Sequence, residues 1–253
     1  MLRDEKVAAQ HIELLAKGEG AFTAGFTNVA WVPLADVTSR SQALYEQEKK
    51  QIEEDVKNSS GYPPGLLEQY DIQLERIPNG HLDCEIAVTA TFLGAGMPPI
   101  EGKKYVSIAI FLNHAFSRGT IHSSSNDPLV DPEIDPHYWE HQIGMIHSFF
   151  TGVIPFDYSA YEYIPGPAVD TDEKLAGWGK DALGSTWHTA GSCSMLPREK
   201  NGVVDTHLKV YGTKNIRVVD LSIVPLNIAA HTQATVYTIA ELASDIIKGK
   251  FSP

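Results

Sequence analysis

Residues 184–197 read Gly-Ser-Thr-Trp-His-Thr-Ala-Gly-Ser-Cys-Ser-Met-Leu-Pro. Residues 202–220 continue Gly-Val-Val-Asp-Thr-His-Leu-Lys-Val-Tyr-Gly-Thr-Lys-Asn-Ile-Arg-Val-Val-Asp, and residues 229–237 are Ala-Ala-His-Thr-Gln-Ala-Thr-Val-Tyr. The stretch sets two histidines, His188 and His231, 43 residues apart, each followed by small residues that let backbone come close to a ligand. Imidazole titrates near neutrality, so two of them facing one cavity can donate, accept or hold a proton without help from a metal. Thr235 to Lys248 then reads as a closing helix, with Val236, Ile239, Leu242, Ala243, Ile246 and Ile247 on its buried side.

Working outward from this stretch, residues 172 to 183 read as a helix leading to Trp187-His188, and residues 155 to 170 as a loop rich in Tyr, Pro and Gly. Tyr138 to Val153 is expected to be helical. Toward the N-terminus, Glu5 to Lys17 carries apolar residues at Val7, Ile12, Leu14 and Leu15 and stops at Gly18, the pattern of an amphipathic helix. Residues 41 to 57 form a second helix with a charged outer face, and Gly-Tyr-Pro-Pro-Gly at 61–65 breaks the chain. From His81 to Phe92, Leu82, Cys84, Ile86, Val88 and Ala90 alternate onto one side, which predicts a half-buried strand. Tyr105 to Phe116 is more continuously apolar, hence a more deeply buried strand. These elements predict an α+β fold with a mixed, largely antiparallel sheet flanked by helices. It is read as one domain over 1–253, with a substrate-binding portion at 1–183 and the histidine-pair segment and closing helix at 184–253.

The chain has 253 residues, 43% hydrophobic and 21% charged, with net charge −12. Nucleic acid and anionic membrane both demand a basic surface, so neither is expected as a partner. No apolar run approaches the roughly 20 residues that cross a bilayer. The N-terminus Met-Leu-Arg-Asp-Glu-Lys lacks the apolar core of a secretory signal, so a cytoplasmic location is expected and the Asn58-Ser59-Ser60 sequon should be idle. Cys84 and Cys193 make no disulfide framework, Cys193 has no neighbouring base or cation to activate it, and no metal-ligand spacing is present.

The motifs Trp-His-x-x-Gly-Ser-x-x-Met at 187–195, Gly-Val-Val-Asp-x-x-Leu-Lys-Val-Tyr-Gly at 202–212 and Ala-Ala-His-Thr-Gln-Ala-Thr-Val-Tyr at 229–237 occur in the order and at the spacing of one family. They resemble the C-terminal signature of glucose–methanol–choline (GMC) flavoprotein oxidoreductases. Ser117-Arg-Gly-Thr-Ile-His and Pro132-Glu-Ile-Asp-Pro-His-Tyr widen the resemblance. It implies that His188 is the base on a substrate hydroxyl and His231 its partner. It also implies that Asp220, Gln233 and Thr235 lie near a flavin, with Asp220 and Thr235 as cofactor contacts only if FAD binds. Ser192 stands where the family has threonine, keeping the hydroxyl and losing a methyl. Trp187, Ser192, Gln233 and His114 are expected at the substrate, Trp187 as pocket wall or as core filler and His114 as a cavity residue or a hydrogen-bonded structural one. His11, His137, His141 and His207 sit in charged or turn-like surroundings and read as solvated.

The family's dinucleotide turn, Gly-x-Gly-x-x-Gly between a strand and a helix, holds a diphosphate on bare backbone amides. No such turn occurs in these 253 residues; Gly18, Gly20 and Gly25 follow a helical pattern and are wrongly spaced. Hydride transfer needs an electron acceptor that no side chain supplies. The expectation is therefore a flavin-free enzyme, FAD being the alternative cofactor, that catalyses an isomerisation, elimination or ring closure of a small, fairly apolar metabolite. The alternatives are one part of an FAD-dependent alcohol oxidase or dehydrogenase completed by a separate chain, and a non-catalytic small-molecule binding protein. Met1 and the helix that follows it count toward a chain that starts at its own beginning. A homodimer is expected, because Val218, Val219, Ile223, Val224, Ile239 and Ile246 are too many for the remaining chain to cover.

Overall fold

The computed structural model describes residues 4–23, 28–58, 62–93, 98–138, 140–141, 150–155, 164–182 and 184–251. In chain order these hold α1 (Glu5–Leu15), β1 (Asn28–Val32), a single helical turn α2 (Leu34–Val37), α3 (Ser41–Asn58), α4 (Leu66–Arg76), β2 (Cys84–Thr89), β3 (Tyr105–Leu112), β4 (Thr120–His122), β5 (Glu133–Asp135), β6 (Phe150–Pro155), α5 (Asp172–Ala182) and α6 (Gln233–Ile247). A four-stranded sheet runs in the order β1-β2-β3-β6, and β4 pairs antiparallel with β5, Ile121 opposite Ile134. This is the α+β architecture expected from the alternation and helical periodicities.

The chain divides into two compact units. One comprises residues 1–30, 86–109 and 151–168, and the other residues 31–85, 110–150 and 169–253. In the first unit α1 starts where the Asp4 carboxylate accepts from the amides of Lys6 and Val7, an N-cap that satisfies two otherwise orphaned donors. None of its residues is buried.

The second unit has two apolar cores. Leu44 and Ile52 of α3 pack with Tyr70 and Leu74 of α4 and with Phe116. The second core joins Val204, Leu208 and Ile223 to Ala243 and Ile246 of α6, with Val218, Val224 and Ile239 packed against it. Of the six residues on which the dimer expectation rests, Ile223 and Ile246 are buried, Val218, Val224 and Ile239 are half-buried and Val219 is exposed. Ile223 and Ile246 are covered by the chain's own 203–210 segment, which folds back through bridges between Val204 and Val210 and between Lys209 and Arg217. Gly202 makes this turn possible, since a Cβ there would lie 1.8 Å from the Leu196 carbonyl oxygen.

Three other expectations change. Residues 150–153 belong to β6 rather than to a helix, and residues 142–149 of that expected helix lie outside the described residues, as do residues 156–163 of the expected loop and Gly25. His141 is not solvated: it is buried, and its Nδ1–H donates to the fully buried carboxylate of Glu48 at 2.5 Å. Nor does the alternating apolar set define the buried side around β2. Cys84 is buried as expected, but Leu82 is exposed and Ile86 and Val88 are half-buried, whereas Asp83, Glu85 and Ala87 are buried. Carboxylates are buried there because each meets a partner, Arg76 for Asp83 and His231 for Glu85, which offsets the cost of removing a charge from water.

Candidate active site

Every residue of the site lies within the second unit. His188 follows the short loop after α5, and His231 immediately precedes Thr232, the residue that caps α6. The intervening loop is pinned by backbone bonds from Cys193 N–H to the Ser222 carbonyl at 2.9 Å and from Met195 N–H to the Ile223 carbonyl at 2.8 Å. Gly191 turns there with φ 90°, which favours glycine. The result brings the two imidazoles to a centroid separation of 6.0 Å with planes 55° apart. That spacing admits one substrate oxygen hydrogen-bonded to both rings.

The Nε2–H of His231 donates to Oε1 of Glu85 at 2.7 Å. A carboxylate only accepts, so this bond fixes the tautomer and leaves Nδ1 of a neutral His231 as an acceptor. The Trp31 indole meets the same ring edge-on at 5.8 Å, and its own Nε1–H is buried without a hydrogen-bond partner among the described residues. His188 is half-buried, and partial desolvation, reinforced by the neighbouring His231 and opposed by Glu85, holds its proton affinity below the ordinary imidazole value. It is therefore a neutral proton acceptor at pH 7.

The remaining residues singled out by sequence fall in different places. Trp187 is 87% exposed, which excludes it as core filler, and it holds a left-handed φ of 62°. Ser192 is exposed. Gln233 begins α6 and is exposed, and Thr235 in the same turn is half-buried. Asp220 is exposed and caps the short turn 221–223, its Oδ1 accepting from the Ser222 amide at 2.9 Å and hydroxyl at 2.5 Å. His114 is 7% exposed, and its Nε2 accepts from Arg76 Nη2 at 2.8 Å. Burial, with the Arg76 charge beside it, pushes its pKa down to about 4, so it is neutral at pH 7.

Sequence reasoning missed Glu85, Trp31 and Asn227. The signal for Glu85 was a carboxylate flanked on both sides by apolar strand residues. Asn227 Nδ2 donates to the His188 carbonyl at 3.2 Å. Cys84 is buried, which raises its thiol to about 12 and makes it inert. Among the described residues no cluster of three or more His, Cys, Asp or Glu has metal-site geometry.

A GMC oxidoreductase family model matches residues 115–240, a span that includes both histidines. The chain belongs to the GMC oxidoreductase family. It is 39% identical over 158 residues to the GMC oxidoreductase family protein Mala s 12 of Malassezia sympodialis, covering 57% of this chain and 25% of that protein. It is 32% identical over 177 residues to versicolorin B synthase of Aspergillus parasiticus, covering 65% and 27%. Among solved structures, the FAD-dependent oxidoreductase from Chaetomium thermophilum superposes with a TM-score of 0.72 at 22% identity, over 98% of this chain and 43% of that one. The chain thus spans well under half the length of these GMC relatives.

Members of the family normally bind FAD. Toward such a group the described residues offer polar side chains at the start of α6, exposed Gln233 and half-buried Thr235, two and four residues after His231. They do not fit the diphosphate. Gly18 and Gly20, with φ of 73° and 86°, close α1 instead of joining a strand to a helix N-terminus, and the Asp220 carboxylate is engaged by Ser222.

Proposed function

We propose that the His188–His231 face performs proton transfer on a small, fairly apolar organic substrate: an isomerisation, elimination or ring closure in which no electrons leave the molecule. The observation that carries this is the hydrogen bond from His231 to buried Glu85, with a half-desolvated His188 6.0 Å across from it. Neutral His188 accepts a proton from a hydroxyl or an acidic C–H. His231, held in one orientation by Glu85, offers Nδ1 as acceptor to a substrate O–H; once it has taken that proton, its imidazolium is stabilised by the carboxylate and donates Nδ1–H to the oxygen on which charge develops. The proton is then returned at another atom or to a leaving hydroxyl, so electrons balance without an acceptor. A GMC relative whose name is that of a synthase, versicolorin B synthase, supports non-redox chemistry in this family.

A second reading is favoured by the openness of the same face, where Trp187 is 87% and the His231 side chain 44% exposed. In it, another polypeptide carrying the flavin covers the histidines and the assembly oxidises an alcohol. Gel filtration of the purified chain after incubation with FAD separates the two. The proposal expects protein without flavin absorbance, and a stoichiometric yellow complex would transfer support to the oxidase reading. His188→Ala should lower turnover roughly 10²-fold with the fold intact; turnover unchanged in the variant would assign the chemistry to other residues, and no turnover in the unsubstituted protein would leave a binding protein.

A further inference from the structure

Glu85 accounts for the orientation of His231; His188 is held at its peptide, where the Asn227 side chain donates to its carbonyl, and among the described residues the backbone bonds of its loop begin at Cys193. A continuous polar path reaches its peptide from the interior. Asp83 lies two residues before Glu85 on the same inward side of the β2 segment, and its Oδ1 faces Arg76 Nε at 3.6 Å. Arg76 donates through Nη2 to Nε2 of His114, and the His114 ring lies against the Asn227 backbone carbonyl. Asn227 in turn donates Nδ2–H to the His188 carbonyl at 3.2 Å while its Oδ1 accepts from the Ile228 amide at 3.0 Å. Two buried carboxylates two residues apart thus face the two histidines, Glu85 by a direct hydrogen bond and Asp83 through its ion pair with Arg76 and then His114 and Asn227.

We propose that Asn227 is the positioning residue for His188: its side-chain amide ties the His188 peptide to the Arg76–His114 pair and so holds the two imidazoles beside each other at 6.0 Å. The functional meaning rests on the proton-transfer reading above, but the geometry can be tested without turnover. The same Asn227 performs two separable jobs, donor to His188 and acceptor for Ile228. Asn227→Asp keeps size and acceptor and loses the donor, whereas Asn227→Ala loses both.

The readout is NMR of the full chain with ring-labelled histidine, following the cross-peaks between the His188 and His231 rings and the titration of His188, which His231 and Glu85 face. Cross-peaks should be present in the unsubstituted protein and vanish in both variants. In Asn227→Ala the His188 midpoint should rise toward the ordinary 6.5, because the ring leaves its partly desolvated place beside His231. Should Asn227→Ala fail to fold, Asn227→Asp decides alone. Cross-peaks retained in Asn227→Asp would mean that only the Ile228 contact matters and would overturn the proposal. If they vanish while His188→Ala leaves turnover unchanged, the positioning role stands and the proposed function falls.

Discussion

Acidification should unfold this protein partly through one residue, His114. Its pKa is about 4 in the fold against an ordinary 6.5, because burial and the Arg76 guanidinium disfavour a second positive charge. A histidine depressed in the fold is protonated first in the unfolded chain, so stability falls as pH drops through 6.5 and levels off below about 4. Integrating between those two values costs about 0.2 kcal/mol at pH 7, about 1 kcal/mol at pH 6 and about 2 kcal/mol at pH 5. Burial raises the carboxyl pKa of Asp83, Arg76 opposing, and this works the other way: its proton is held more tightly in the fold, which offsets part of the loss at the acid end. His114→Gln keeps an acceptor for Arg76 and removes the titration, so the difference between the two proteins isolates the histidine. Urea denaturation at pH 7, 6 and 5 should show the unsubstituted protein losing about 2 kcal/mol more than His114→Gln between pH 7 and pH 5. Parallel pH dependence in the two proteins would refute the account of His114 as a buried neutral acceptor.

Other substitutions follow from the same geometry. Glu85→Leu leaves the His231 Nε2–H without its acceptor and should cost about 1–3 kcal/mol in thermal or urea unfolding, with a larger loss of turnover than of stability. Trp187 is solvent-exposed in a left-handed conformation that costs a side-chain-bearing residue about 1–2 kcal/mol, so Trp187→Gly should leave the melting temperature unchanged or raise it. Gly202→Ala drives a methyl into the Leu196 carbonyl and should destabilise the protein by at least about 3 kcal/mol, read as loss of the cooperative transition at 37 °C.

Local signals in the sequence located α1, α3, α5 and α6 to within a few residues, because each carries an apolar stripe and a recognisable start or stop. Helix α4 was overlooked, although Leu66, Tyr70, Leu74 and Ile77 recur at helical spacing. The Pro-Pro-Gly break before it and its polar Glu68, Gln69 and Gln73 mask that stripe, and its start at left-handed Gly65 has no side-chain cap to announce it. What could not be read were partnerships between distant segments. Alternation along β2 pointed Glu85 outward, and only His231, 146 residues away, turns it in. Likewise His141 looked solvated beside Glu140 until Glu48, 93 residues away in sequence, supplied a buried carboxylate. The histidine pair itself was legible because its surroundings follow a family pattern. Its orienting residues were not, since nothing local marks Asn227 or Trp31.

The central claim, proton transfer without loss of electrons, is tested most directly by product mass. The purified chain, with no flavin added, is incubated with a panel of small hydroxylated and carbonyl-bearing aromatic and aliphatic compounds, and each reaction is compared with His188→Ala by mass spectrometry. The account predicts a product of unchanged mass, or one lighter by a single water, formed by the unsubstituted chain and strongly reduced in the variant. A product lighter by two hydrogens, formed only when FAD and a second polypeptide are supplied, would contradict it.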